Sequence, residues 1–535
     1  MHLKRIIISG FKVLQSFQME LDEHLNIIVG DNETGKSTVL EAVNLVLSCQ
    51  MAGRSVLYDL DPYYFNAPMV AEYFDQIRCG ANPPPPRILI EAYLDDGGTN
   101  DLAKLRGTNN TRGEDCPGLY LSIELDEDLA DDFNAYINHA KSVAIVPVEY
   151  FSIVWRSFAN NSVATRSFPF RATVIDTSIT RFSSGPSKYL TQIIADCLET
   201  KQQVSLSSAY RKLKNAFMQE PEIKKINEHL MKKKGDITRK ALSVAPDMSA
   251  RSTWESSMTA HLDDIPFTDV GKGEQSRVQM KLAIEGKGDN NVILIEEPEN
   301  HLSHSNMYRL IDEIDRKSAG RQILITTHSS FVLNKLGIRH MKLLSAKDVM
   351  TLDDLPPATA DYFMKLPGYD TLRLLLSAKT ILVEGPSDEL VVQKAYHTKH
   401  GKLPLMDRVD VIAVGSLAFK RFLEIGSILK LNMTVVTDND GNIEHLRKEY
   451  QDYLGNQHST IRICYDDDEA CRTLEPQLLK ANSLEVLNSV LEKRFKDNEA
   501  LLSYMENNKT ECALKVFTTQ GSLNFPEYIS RAIDA

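Results

Sequence analysis

The 535-residue chain has only two tryptophans, no net positive charge and no long apolar run. Its formal charge is −12, from 61 Lys and Arg against 73 Asp and Glu, which excludes a uniformly basic nucleic-acid coat. A nucleic-acid partner stays possible, because a local patch suffices and a metal ion can supply the missing charge. No stretch approaches the ~18 uncharged apolar residues needed to span a bilayer. The apolar run in the opening MHLKRIIISGFK is far too short for a signal peptide. The seven cysteines (Cys49, Cys79, Cys116, Cys197, Cys464, Cys471, Cys512) are odd in number and form no CxxC pair. This argues against a disulfide framework or a structural zinc site, and for a reducing compartment. The expectation is a cytoplasmic, multidomain, mostly α/β protein with no membrane partner.

The N-terminal rhythm is strand, turn, helix: Leu25 to Val29, Gly30 to Lys36, then a helix from Ser37 to about Cys49. Pro83 to Pro86 form a rigid spacer before a strand-like run, Ile88 to Leu94. From Gln192 to Lys240 helical spacing dominates. Within Arg211–Lys240, ten Lys/Arg face four acids (Glu220, Glu222, Glu228, Asp236). This reads as a helical insertion with a basic face, used for dimer packing or, alternatively, for direct contact with nucleic acid. Around Ser345–Pro367 the prolines and acids suggest a loose connection. After Ala378 a new β-α-β pattern begins (Thr380–Val383, Val409–Val414, Met433–Thr437), which implies a parallel sheet with its ligands at the C-terminal strand ends.

Gly30-Asp31-Asn32-Glu33-Thr34-Gly35-Lys36-Ser37 fits the phosphate-loop pattern and has its context, an apolar strand before and an apolar helix after. Backbone N–H groups and the helix N-terminus would face the phosphates. Lys36 is expected to reach the β/γ-phosphates and Ser37 to ligate Mg²⁺, with Gly30, Asn32, Gly35 and Thr38 completing the ATP contacts. Val292-Ile293-Leu294-Ile295-Glu296-Glu297 is a buried strand ending in acids. Glu296 is placed to hold the Mg²⁺ shell, and Glu297 to orient or deprotonate the attacking water.

Gly271-Lys272-Gly273-Glu274-Gln275 opens a helix before the acid strand, and Thr326-Thr327-His328 follows a second strand, Gln322–Ile325. The arrangement resembles the SMC-like branch of the ABC-type ATPases. The resemblance puts Gly271, Gly273 and Gln275 in the signature that caps the γ-phosphate bound by the other protomer. It puts His328 in the switch and Asn300-His301-Leu302 in the D-loop. Two departures, Glu296 for the usual aspartate and Lys272 for the signature serine, argue against fast hydrolysis. One phosphate loop and one signature per chain imply a homodimer, with C2 symmetry, or a higher even oligomer. The spacing from Lys36 to Glu296, 296 minus 36 or 260 residues, leaves no room for a long coiled-coil arm.

The C-terminal third carries a second set of acids. Lys379–Val383 is an apolar run ending in Glu384-Gly385, with Asp388 one helical turn on, and Thr434–Thr437 ends in Asp438-Asn439-Asp440. In an extended strand end alternate residues point the same way, so Asp438 and Asp440 are expected to present their carboxylates to one side. If the two strands are neighbours, Glu384, Asp388, Asp438 and Asp440 converge, and hard cations, Mg²⁺ or Mn²⁺, are needed to offset their repulsion. The pattern, with Val414-Gly415 as its glycine turn, resembles the Toprim domain. An SMC-like ATPase with a helical insert followed by a Toprim domain resembles the OLD (overcoming lysogenization defect) family of nucleases over almost the whole chain. That resemblance implies Glu475 as a second-metal ligand and Lys509 as a transition-state cation. It also implies a role in anti-phage defence, in some members beside a helicase or a retron reverse transcriptase.

The expected architecture is α/β. An ABC ATPase (1–190 and 246–345) is interrupted by the insertion (191–245), and a linker (346–377) leads to a parallel-sheet Toprim domain (378–535). The expected activity is ATP-binding, two-metal DNA cleavage with ATP acting as a switch. The alternative is an SMC-like repair or clamp ATPase whose Toprim-like domain is not catalytic. A topoisomerase or primase would need an extra module that the sequence is not expected to supply.

Overall fold

A computed structural model describes the chain apart from residues 52–53, 57–59, 99–101, 140–143, 164–169, 177–197, 199, 233–242, 248–253, 286–289, 301, 318–319, 346–347, 416–417, 455–459 and 535. Cys197, His301 and the basic residues Lys233, Lys234, Arg239 and Lys240 therefore lie outside the described residues. The chain forms two compact units, Met1–Asn26 with Gly35–Thr327, and Ile27–Thr34 with His328–Ala535. Among the described residues no helix is long and apolar enough to cross a membrane.

The first unit holds an antiparallel sheet. His2–Phe11 lies between Leu14–Glu20 and Ile88–Asp95, which in turn pairs with Cys116–Leu125. Leu3, Ile6 and Ile8 are fully buried on one face of the first strand, while exposed or partly exposed residues separate them. A parallel set follows: Arg171–Asp176, Asn290–Glu296 and Gln322–Thr326. Its central strand buries Val292 to Ile295 without interruption, as expected of a strand covered on both faces. The helix Lys36–Ser48 packs against the first two of these strands. Gln322 ties the parallel set to the antiparallel sheet: its side chain accepts from Leu3 N–H at 2.8 Å and donates to the carbonyls of Leu3 and Asp22. The insertion contains the helices Thr200–Gln219 and Pro221–Lys232.

In the second unit, Ile27 to Gly30 run parallel to Met341–Leu344, which pairs antiparallel with Val349–Thr351. The stretch read as a loose connection is ordered. Pro356 and Pro357 start the helix Pro357–Lys365, and Thr371–Leu376 is a second helix. Proline fits the first helical turn without strain, so these prolines open a helix. Phe363 is fully buried and packs edge-on against Tyr362, Tyr369 and Phe422. Asn334, also fully buried, accepts from Thr371 Oγ1 at 2.8 Å and donates to the Tyr369 carbonyl.

The rest of this unit is a four-stranded parallel sheet in the order Val409–Ala413, Lys379–Val383, Met433–Val436, Ile461–Cys464. The helix Pro386–His400 lies against Lys509–Thr518 and Glu527–Asp534. Their shared core includes Ile381, Val391, Val392, Val436, Leu478, Leu501, Val516 and Ile529. The first strand in sequence lies between the second and the third. The chain therefore leaves Lys379–Val383 toward one edge and later returns to its other side. This is a topological switch point, where a crevice opens at the C-terminal strand ends.

Candidate functional site: a phosphate loop and an acidic crevice

Local backbone geometry accounts for the phosphate loop. Glu33 (φ 68°) and Gly35 (φ 96°) both turn left-handed, and a Cβ on Gly35 would lie 2.8 Å from Leu14 Cδ2. Glycine is required there, and the turn opens directly into the helix at Lys36. Thr34 Oγ1 closes the loop onto the Asp31 carbonyl at 2.9 Å, and Asp31 accepts from Arg408 Nη2 at 2.8 Å. Asn32 and Ser37 are exposed, while Lys36 and Thr38 are buried. Ser37 is therefore open to an ion, whereas Thr38 packs into the helix base.

Glu296 ends the acid strand in register with Asp176 on one side and Thr326 on the other. At Glu297 the backbone turns left-handed (φ 43°), with its N–H donating to the Thr326 carbonyl at 3.0 Å. Its Oε2 accepts from Asn300 Nδ2 at 2.6 Å, and Thr327 Oγ1 donates to Glu299 Oε1 at 2.8 Å. The acids are thus tied to the strand that leads to His328. His328 itself is exposed.

In the signature, Gly271 and Gly273 sit at the start of the helix Lys272–Glu285, as expected. Gln275 departs from its expected role. It is buried (4%), and its Nε2 donates to the carbonyls of Phe267, Thr268 and Val270 at 2.8, 3.2 and 2.7 Å. With its amide committed to its own chain, Gln275 shapes the signature turn and presents no donor to a phosphate. Glu274 is paired with Arg277.

In the C-terminal sheet, Val383 lies in register with Val436, so Glu384 emerges beside Thr437 at the switch point, with Asp438 one residue on. Glu384 Oε1 accepts from Thr437 Oγ1 at 2.7 Å and from the Asp438 N–H at 3.1 Å. Asp388 Oδ2 accepts from the Gly385 N–H at 3.0 Å. Gly415 takes a left-handed turn (φ 77°) and donates to the Glu384 carbonyl, extending the pairing of the neighbouring strand. Glu475 is buried (4%); its Oε2 accepts from Thr473 Oγ1 at 2.8 Å and meets Lys509 Nζ at 3.1 Å.

These groups share one electrostatic field. Burial, then the charges of Asp388, Glu384 and Glu475, push the Asp438 carboxyl up to about 8, against the pull of Lys509. Burial, then Glu384, raise Asp388 to about 6. For Lys509, burial works against the charged form, but Glu475, Asp438 and Asp388 outweigh it and raise its pKa. The chain thus brings together Glu384, Asp388, Asp438, Glu475 and Lys509.

Asp440 is a correction. The strand ends at Val436, and Asp440 adopts a left-handed turn (φ 48°) and is exposed. The two-residue alternation therefore does not apply to it. Nor do the acids form a finished clasp: among the described residues no three His, Cys, Asp or Glu side chains are gathered as a ready cation site. The acids repel one another, and three of the four are held by donors: Thr437 on Glu384, Gly385 N–H on Asp388, Lys509 on Glu475. The donor set nevertheless fits hard divalent cations, being all oxygen and partly buried, with Asp388 and Asp438 reluctant to ionise without a counter-charge. Thr437 and Thr473 were not singled out from the sequence; a hydroxyl beside or two residues before an acid was the available signal.

Comparisons with known proteins come from both halves. A family model described as an AAA ATPase domain matches residues 1–73, and an AAA domain model, described as putative AbiEii toxin of a type IV toxin–antitoxin system, matches 257–334. A model for the Toprim domain of overcoming-lysogenization-defect-like proteins matches 375–440. No curated protein matches the chain. Among solved structures, an SMC head domain from Pyrococcus furiosus bound to the C-terminal domain of ScpA is similar at 12% identity, with 66% of this chain and 97% of that one covered and a TM-score of 0.35. The recombination mediator RecF bound to ATP is similar at 14% identity, over 66% and 99% of the two chains, with a TM-score of 0.33. The C-terminal region of the Xanthomonas campestris pv. campestris OLD protein is similar at 19% identity, over 30% and 93%, with a TM-score of 0.24.

Proposed function

We propose that this chain, which joins an AAA-type ATPase domain to an OLD-like Toprim domain, is an ATP-binding, divalent-metal-dependent DNA endonuclease. The observation that carries the reading is the meeting of Glu384, Asp388, Asp438 and Glu475 with Lys509 at the switch point of a parallel sheet. Divalent ions held there would supply an activated water and a counter-charge for the leaving 3′ oxygen. Glu384, fixed through one oxygen by Thr437, keeps the other for an ion or a proton. Lys509, half-exposed, can offset charge on the scissile phosphate.

On the ATPase side, Lys36, Ser37, Glu296 and Glu297 bind and position ATP with Mg²⁺, and Gly271 and Gly273 complete the site of a second protomer. A homodimer follows from that trans arrangement; the exposed Leu213 and Phe217 on the insertion, beside a groove of about 560 Å³, are suited to it. ATP would gate cleavage, and an anti-phage effector role fits the domain pairing.

A second reading is an SMC-like repair or clamp ATPase with a non-catalytic Toprim-like domain; it is favoured by the lack, among the described residues, of three side chains gathered as a ready cation site. Supercoiled and linear DNA incubated with Mg²⁺ or Mn²⁺, with and without ATP, separates the two. Cleavage by the wild type that is abolished by Asp438→Ala supports the nuclease. No cleavage under any condition, or cleavage that survives Asp438→Ala, refutes it.

A further inference from the structure

Glu475 and Lys509 are 34 residues apart in sequence yet meet at 3.1 Å. The two ends of this ion pair are unequal. The Glu475 side chain is 5% exposed and anchored by Thr473, whereas the Lys509 side chain is 49% exposed. Lys509 is also the first residue of the helix Lys509–Thr518. A cation at a helix N-terminus faces the positive end of the macrodipole, so the lysine stays there only because acids face it. Those acids are Glu475, Asp438 and Asp388. One ammonium therefore serves as counter-ion to a nest that a divalent cation would satisfy better.

We infer that Lys509 is a built-in counter-cation that occupies Glu475 until a second divalent ion displaces it, so that loading of that ion and release of the lysine toward the phosphate are one event. The inference rests on the nuclease reading and deepens it. The first ion goes to the Glu384, Asp388 and Asp438 side, where among the described residues no lysine is at hydrogen-bonding distance of these acids. The second must break the Glu475–Lys509 pair and so binds more weakly. Glu475 cannot move, being buried; Lys509 can leave through its exposed side without any opening of the chain. A site holding one ion then keeps its lysine on Glu475, and cleavage needs enough metal to fill both positions.

The test is calorimetric titration of Mn²⁺ into the full-length, chelator-stripped protein without DNA or nucleotide, with Asp438→Asn as the blank. The wild type should show a tight and a weak class. Lys509→Met and Lys509→Gln should bind the second ion about tenfold more tightly, as expected for removing one positive charge within a few ångströms of it. Lys509→Arg should resemble the wild type, and Glu475→Gln should lose the weak class alone. Two neutral variants are compared, so a folding defect in one leaves the result readable. Second-ion binding that is unchanged or weaker in both neutral variants overturns the inference while leaving the nuclease reading standing. A wild-type isotherm no different from the Asp438→Asn blank overturns both.

Discussion

Replacing Asp438 with asparagine should stabilise the metal-free protein while abolishing cleavage. The carboxyl's ordinary value of 3.8 is raised to about 8 in the fold by burial and by Asp388, Glu384 and Glu475. At about 1.4 kcal/mol per tenfold change in proton affinity, the folded state disfavours the ionised form by on the order of 5 kcal/mol. That figure is an upper bound, because the cluster titrates collectively and the site is partly open to water. A gain of roughly 2 kcal/mol for Asp438→Asn is therefore expected, or about 4–8 °C in the melting of a unit of this size. The sign with pH follows from the raised value. The folded carboxyl binds a proton more tightly than the unfolded one, so its ionisation destabilises the fold progressively as pH rises from about 4 to about 8. The advantage of asparagine should be near zero at pH 4 and largest at pH 8 and above. Thermal melts in chelator at pH 5 and pH 8 measure it. Added Mn²⁺ should stabilise the wild type at pH 8 with release of protons, and should leave the variant nearly unchanged. An Asp438→Asn variant no more stable than wild type at pH 8, or equally stabilised at both pH values, would refute the shared-field reasoning.

Lys36→Ala should abolish ATP binding in a fluorescent-nucleotide titration while sparing the fold of the C-terminal sheet. If cleavage then keeps its full dependence on ATP, the gating idea fails. Gln275→Leu should remove three hydrogen bonds to main-chain carbonyls. The expected cost is about 2–3 kcal/mol of local stability, with ATP turnover reduced more than ATP binding; a selective loss of binding would instead mean that the amide reaches the nucleotide. Asn334→Leu should cost about 2–3 kcal/mol, because Thr371 Oγ1 and the Pro367 and Tyr369 carbonyls lose their partner in a dry interior. An unchanged melting temperature would contradict the burial of that network.

The local pieces of both sites were legible because each is carried by contiguous residues. Gly35 before Lys36, and four apolar residues before Glu296, dictate backbone and burial without reference to the rest of the chain. The strands Lys379–Val383 and Met433–Val436 were equally plain from their apolar runs. Their adjacency was not, since sequence gives the elements but not the order in which a sheet stacks them. A local rule holds only within its own element. The alternation that paired Asp440 with Asp438 presumes a strand that stops at Val436. Pro356 and Pro357, signs of a loose stretch when read alone, open a helix. The side-chain amide of Gln275 is taken up by carbonyls of its own turn, which its place in the motif did not reveal.

What the amino-acid order determined alone was the set of short-range devices: a phosphate loop, acid-tipped strands and a glycine turn, each a matter of backbone sterics and side-chain period. What tertiary structure decided was which acids share a field. Glu384 and Asp438 are joined by strand order, Asp388 by a helix start, and Glu475 and Lys509 by the packing of helices far along the chain. Charge–charge energy depends on distance and burial, and neither is fixed until the chain has closed on itself.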